Sequence, residues 1–156
     1  MTNSLAQELG KRSPFESGTQ EAFLNLVRTV AVLDGEFKSL FRRHGLSPTT
    51  YNLLRILRGH RPKGCRCATL REQLVVRVPD ITRLVDRLAT AGLVTRTTDT
   101  NDARAVNVRI TPKGLRVLKA LDEPVMMLHE QQLGHLSADE IKSLNHLLER
   151  SRDRQA

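Results

Sequence analysis

Residues 69–114 read TLREQLVVRVPDITRLVDRLATAGLVTRTTDTNDARAVNVRITPKG, and this stretch decides the fold. Two short helical patterns come first, and two stretches rich in alternating or β-branched residues follow. The second helical pattern has one apolar stripe at helical spacing, formed by Ile81, Leu84, Val85 and Leu88, and Gly92 ends it. The order of these elements predicts a helix, a turn, a second helix and then a β-hairpin.

Local signals predict where these helices begin. Thr69 and Glu72 have the spacing of a capping box, so the first helix is expected to start at Thr69. Pro79 is expected in the first turn of the second helix. The carboxylate of Asp80 is expected to complement the positive end of that helix.

The hairpin is predicted from residues 93–98 and 105–110, joined by the polar turn 99–104. A Thr-Pro pair at 111–112 then starts a long helix. Pro124 is expected to kink or break that helix because proline has no amide donor.

Helical patterns also flank this segment. One runs from Phe23 to Phe41, and another begins at the N-cap Ser47 and stops at Gly59. The loop that follows, residues 60–68, is rich in Pro, Gly and basic residues and could end in a short strand. A capping box at residues 137–140 opens a final helix. The inward positions of that helix are expected to be Ile141, Leu144, Leu147 and Leu148. Periodicity does not decide whether these stripes pack within one chain or between two.

The charge is concentrated in one part of the chain. The net charge is +8, and residues 55–116 hold 14 Lys and Arg against 5 Asp and Glu. Such a localised excess of positive charge favours a polyanion-binding surface over charge that serves only solubility, although a solvated basic face remains the alternative. An aromatic content of 3% disfavours a stacking platform for single-stranded nucleic acid. Without a long apolar run or a secretory signal, a cytoplasmic protein is expected.

The segment resembles the DNA-binding core of the MarR (multiple antibiotic resistance regulator) family. The matching pieces are ITRLVDRL, GLVTR, the Asp-x-x-Asp-x-Arg turn and ITPKG. The resemblance implies a mainly α fold with a small β-hairpin wing, in which a winged helix-turn-helix core is flanked by dimerisation helices. It implies a non-enzymatic transcriptional regulator without cofactors, most often a repressor. Such a protein binds double-stranded DNA as a homodimer on an inverted repeat and can be released by a small aromatic effector.

The resemblance also divides the chain and assigns residues. It implies a flexible tail (1–18), a dimerisation helix (19–46), the winged helix-turn-helix (47–114) and C-terminal dimerisation helices (115–156). The DNA-binding positions carried over are Arg77, Pro79, Asp80, Thr82, Arg83, Arg87 and the wing residue Arg104. The remaining wing positions are Asp99, Asp102 and Arg109. Ala103 replaces a second arginine of many relatives, and Val78, Pro79 and Asp80 replace small polar residues.

Several alternatives stay open at this point. Asp80 could serve the helix start alone, and Arg104 could pair with Asp99 or Asp102 in an ordinary surface hairpin. The winged helix could bind a protein partner instead of DNA.

Cys65 and Cys67 raise the alternatives of a redox sensor or a thiol enzyme, since Arg66 and Lys63 are expected to lower a thiol pKa. They do not have the spacing of a zinc site. Phe37, Phe41 and Tyr51 could line an effector cleft or belong to the core.

Overall fold

The computed structural model describes residues 4–98 and 106–153. These residues form seven helices and three short strands. The helices are α1 (Leu5–Glu8), α2 (Gly18–Arg43), α3 (Pro48–Gly59), α4 (Cys67–Gln73), α5 (Ile81–Thr90), α6 (Pro112–Leu133) and α7 (Ala138–Arg152). The strands are β1 (Cys65–Arg66), β2 (Val94–Thr98) and β3 (Val106–Ile110).

The strands form one antiparallel sheet in the order β1-β3-β2. Val94 pairs with Ile110 at the base of the β2–β3 hairpin, and Cys65 of β1 pairs with Val108 on the other side of β3. The hairpin prediction is confirmed, and the short strand that could end the loop after α3 is β1, which makes the sheet three-stranded. Two residues of β1 are too few to give a clear alternation in the sequence.

One apolar core lies beneath α3, α4, α5, α6 and the sheet. Its fully buried side chains are Leu53, Leu54, Leu57, Leu70, Ile81, Val85, Val108, Leu118 and Leu121. Because α5 contributes only one face to this core, the opposite face of α5 is left toward solvent.

Helix starts agree with the sequence in most places. Ser47 and Ser137 each cap a helix within a capping box. The expected start of α4 at Thr69 is wrong, because the helix begins at Cys67 and its N-cap, Arg66, makes no side-chain capping bond. Arg66 is paired with Asn107 in the sheet, so the end of β1 determines where α4 starts.

Of the two expected effects of Pro124, a kink or a break, the break is wrong, because α6 continues from Pro112 to Leu133 with Pro124 inside it. A proline removes one backbone hydrogen bond from a helix. Here Leu118, Leu121 and Val125 are buried on both sides of the proline, and their packing holds the helix together.

The outer helices expose much apolar surface. In α7 none of the side chains is buried, so the stripe of Ile141, Leu144, Leu147 and Leu148 does not enter the core of the described residues, which leaves packing between two chains as the alternative. Within the predicted tail, α1 buries Leu5, and Glu8 pairs with Arg28 of α2 at 3.3 Å. None of the helices in the described ranges is both long and apolar enough to cross a membrane.

Candidate nucleic-acid interface

The start of α5 is built by Asp80. Its carboxylate accepts a hydrogen bond from the backbone amide of Arg83 at 2.9 Å, which makes Asp80 the N-cap. Pro79 lies before the cap, so its expected place in the first helical turn is wrong. Asp80 therefore satisfies a backbone donor that the helix itself leaves unpaired.

The two faces of α5 differ sharply. Ile81, Val85 and Leu88 are buried, with at most 3% of each side chain exposed. All of the positions assigned to DNA contact on or just before the helix are exposed: Arg77, Pro79, Asp80, Thr82, Arg83 and Arg87. Within the described part of the chain, Arg77, Arg83 and Arg87 have no ion pair. The helix thus presents unneutralised guanidinium groups to solvent.

The hairpin is joined to α5 by an ion pair that the sequence did not reveal. The carboxylate of Asp86, placed by the sequence on the outer face of α5, binds the guanidinium of Arg96 on β2. The two side chains are 49% and 35% exposed. A sequence separation of ten residues gives no signal for such a pair, since its formation depends on how the sheet packs against the helix.

Arg109 on β3, which was predicted to bring positive charge near DNA, also makes a hydrogen bond within the protein. Its Nε donates to the backbone carbonyl of Lys63 at 2.9 Å, and Asn107 Nδ2 donates to the same oxygen at 3.0 Å. These bonds fasten the loop between α3 and β1 to the sheet. The predicted wing residues Asp99, Asp102 and Arg104 lie outside the described residues.

A cleft of about 710 Å³ lies beside α5, between that helix and the junction of α2 with α3. Its charged wall consists of Arg42, Arg83, Arg87 and the acidic Asp86, and its apolar wall includes Leu46 and Leu93. The two arginines of the exposed face of α5 thus border a cavity of ligand size.

The aromatic residues considered for an effector cleft lie elsewhere. Phe41 and Tyr51 are buried and stack with ring centroids 4.2 Å apart, and Phe37 stacks on Phe41 at 5.9 Å. None of the three lines the cleft beside α5. They are core residues because aromatic rings bury the most apolar area when packed together.

Both thiols are less acidic than the sequence suggests. Burial, and next the neighbouring Cys67, raise the pKa of Cys65. Burial also raises the pKa of Cys67, and the nearby charges of Arg96 and Arg71 offset this only in part. The expected lowering by Arg66 and Lys63 is therefore wrong: desolvation of the thiolate outweighs the cationic neighbours. The described residues contain no cluster of three His, Cys, Asp or Glu suited to a metal.

The chain has a helix, a turn, a second helix with a cationic outer face, and a hairpin bound to that second helix by an ion pair. This arrangement defines a winged helix-turn-helix protein. A sequence model of the MarR family matches residues 46–106. The multiple antibiotic resistance protein MarR of Salmonella typhimurium is 33% identical over 109 residues, which cover 67% of this chain and 76% of that protein. The chain belongs to the MarR family of transcription regulators.

Solved structures agree with this family. A MarR transcription factor from Planctomyces limnophilus is 45% identical, with a TM-score of 0.69, and the match covers 87% of this chain and 98% of that one. MepR of S. aureus, solved as a DNA complex, is 18% identical with a TM-score of 0.74, covering 83% and 95% of the two chains. The second likeness concerns the fold alone.

Proposed function

We propose that this protein is a cytoplasmic, homodimeric repressor that binds an inverted-repeat operator in double-stranded DNA. The observation that carries the proposal is the exposed side of α5. There Arg83 and Arg87 lie one helical turn apart, without an acidic partner in the described part of the chain. An α-helix fits the major groove, and a guanidinium group can bind both O6 and N7 of guanine.

Each site residue has a distinct role in this proposal. Arg83 and Arg87 read base edges, while Thr82 donates a hydrogen bond from its hydroxyl to phosphate or packs its methyl against a thymine methyl. Arg77 and Pro79 approach the backbone at the entry to the groove. Asp80 acts through its cap, because its carboxylate fixes the Arg83 amide and thereby the first turn of α5.

The wing supplies the second contact. The Asp86–Arg96 pair holds the hairpin beside α5, so a helix seated in the major groove brings the wing to the neighbouring backbone. Arg104 of the wing turn is assigned to phosphate or the minor groove, with Asp99 and Asp102 shaping the turn. Arg109 stays at the base of the hairpin and contributes charge.

Exposed apolar surface on the outer helices supports a homodimer. Phe23 and Val30 on α2 are each 64% exposed, Met126 on α6 is 66% exposed, and Leu147 on α7 is 60% exposed. Several large apolar side chains exposed on neighbouring helices are expected where a protein forms an interface. Burying them against a second copy places two recognition helices about 34–36 Å apart on one face of a duplex. MepR, a relative in fold, was solved bound to DNA.

Selection of bound sequences from random duplex DNA tests this proposal. Purified protein is expected to enrich an inverted repeat whose half-sites are centred about one helical turn apart. Sedimentation of the same preparation should give twice the mass of 17.6 kDa. A salt-insensitive complex with a protein partner and no enriched duplex would instead support the interaction module.

The cleft beside α5 supports regulation by a small aromatic acid or phenol. A ligand anion there would pair with Arg83, Arg87 and Arg42, so the first two could not also bind DNA. Aromatic carboxylates are expected to lower affinity for the selected duplex, and Arg42→Ala, which leaves the outer face of α5 intact, should reduce that effect. Equal sensitivity of parent and Arg42→Ala would reject the cleft as the effector site.

A further inference from the structure

A second cavity, of about 310 Å³, lies at the base of the hairpin and shares no lining residue with the cleft beside α5. It is enclosed by the loop after α3, the paired ends of β2 and β3, and the first turns of α6. The residues that line it include Leu57, Arg61, Pro62, Arg109, Ile110 and Leu115. We propose that this cavity binds a small organic carboxylate with a single-ring or short branched apolar body.

The walls of the cavity are held in place before any ligand arrives. The carbonyl of Lys63 accepts hydrogen bonds from two residues of β3, Asn107 and Arg109. Gly64 has φ +75, and its amide donates to the His60 carbonyl at 2.8 Å. A Cβ at Gly64 would lie 2.2 Å from the backbone oxygen of Val108, so the loop backbone is pressed against β3. A preformed site loses less conformational entropy on binding.

The lining chemistry selects the class of ligand. Leu57, Ile110 and Leu115 provide an apolar surface, while Arg61 and Arg109 place two guanidinium groups at the cavity. None of the described residues that line it is acidic, and Arg61 has no ion pair within the described ranges. Guanidinium groups bind carboxylates through paired, charge-assisted hydrogen bonds.

The volume limits the size of the ligand. Cavities that hold drug-sized molecules run from about 300 to 1,000 Å³, so this one is at the lower limit. A single ring with one carboxylate matches this volume. This site does not depend on the proposed binding of DNA.

Benzoate is the probe, and the δ1 methyl of Ile110 is the reporter. The isoleucines of the chain are Ile56, Ile81, Ile110 and Ile141, and among them only Ile110 lines the cavity. In methyl NMR of the full chain, benzoate should shift the Ile110 signal in a saturable manner. Benzamide, which keeps the ring and lacks the charge, should not.

Two arginine variants separate this cavity from the effector cleft. Arg61→Ala, at an exposed side chain, should weaken benzoate binding at Ile110 about tenfold, the loss expected for one charge-assisted contact. Arg42→Ala, which alters the other cleft, should leave that binding unchanged. No Ile110 shift with benzoate, an equal response to benzamide, or a shift lost in Arg42→Ala but kept in Arg61→Ala would each overturn the proposal.

Discussion

Asp86 on α5 and Arg96 on β2 form an ion pair, so a direct side-chain contact links α5 to the hairpin. Both side chains are partly exposed, and such pairs contribute only about 0–1 kcal/mol to folding stability. We expect the Asp86–Arg96 pair to matter more through geometry, because in the proposed complex it fixes the angle between α5 in the major groove and the hairpin.

Asp86→Asn separates that geometric role from simple electrostatics. The change makes the surface more positive, so charge alone would strengthen DNA binding, whereas loss of the pair should weaken it about threefold to tenfold. Fluorescence anisotropy on the selected duplex measures this. Asp34→Asn, which removes a pair with Lys38 on α2, is the control with the same charge change. Tighter binding by both variants would reject the bracing role.

Replacing Arg83 by alanine and replacing Arg104 by alanine are expected to impair DNA binding in different ways. Arg83→Ala should lose about 1–3 kcal/mol of discrimination between the selected and a scrambled duplex, because Arg83 is placed on base edges. Arg104→Ala should weaken binding to both duplexes alike, because Arg104 is placed on the backbone. Competition titrations with the two duplexes give the comparison. Parental behaviour of both variants would show that these assignments are wrong.

Asp80 is expected to act through the helix cap. Asp80→Ala should cost about 1 kcal/mol in the free energy of unfolding, because the Arg83 amide loses its acceptor. Asp80→Ser keeps a capping oxygen and should restore both stability and DNA affinity. Urea denaturation and anisotropy provide the two readouts. If serine restores stability but not sequence preference, Asp80 contacts a base.

Gly64 is expected to tolerate no side chain. Gly64→Ala should destabilise the protein by about 2–4 kcal/mol, because it combines a positive φ with a clash against the Val108 carbonyl. Gly35→Ala on α2 is the matched control: among the described residues outside its own helical backbone, its Cβ meets no atom within 4 Å, and alanine favours the helix. Thermal unfolding compares the two variants. Equal melting temperatures would mean that the loop is not pressed against β3.

The thiols are expected to be unreactive in the folded protein. Since the pKa values of Cys65 and Cys67 are raised, little thiolate is present at neutral pH, and alkylation by iodoacetamide should be much faster in urea. The folded state holds these protons more tightly than the unfolded state. Stability from this source is therefore present at neutral pH and is lost as the pH rises above the ordinary thiol value.

A variant without either thiol is the control for this prediction. Cys65→Ser with Cys67→Ser should show a smaller loss of stability between neutral and alkaline pH than the parent. Its DNA binding should match the parent with and without hydrogen peroxide. Fast alkylation of the native protein, or peroxide-sensitive binding that the double variant lacks, would restore the redox-sensor hypothesis.

Local signals in the sequence predicted the elements that depend on near neighbours. The stripe of Ile81, Val85 and Leu88 and the stop at Gly92 need only helical spacing and a positive φ, and the structure has both. The start of α4 could not be found this way, and the strand β1 was indicated only as one possible end of the loop after α3. They depend on the pairing of Cys65 with Val108, residues that are distant in sequence.

In the candidate site, too, the sequence predicts the features that depend on near neighbours and misses those that depend on tertiary contacts. The exposed arginines of α5 follow from the position of its apolar stripe, so they were identifiable without coordinates. The Asp86–Arg96 pair, the bond from Arg109 to Lys63 and the lowered acidity of the thiols depend on tertiary packing. Periodicity also could not show that α7 leaves its apolar side chains uncovered in one chain.

The central claim is that the arginine-bearing face of α5 lies against duplex DNA, and photo-crosslinking tests it most directly. A photoreactive amino acid is placed at position 83 or 87, and at position 150 on α7 as the control, and each protein is irradiated with the selected duplex. Crosslinks from 83 and 87 should map to bases in both half-sites, and position 150 should give none. Crosslinks from position 150 without any from 83 or 87 would contradict the account.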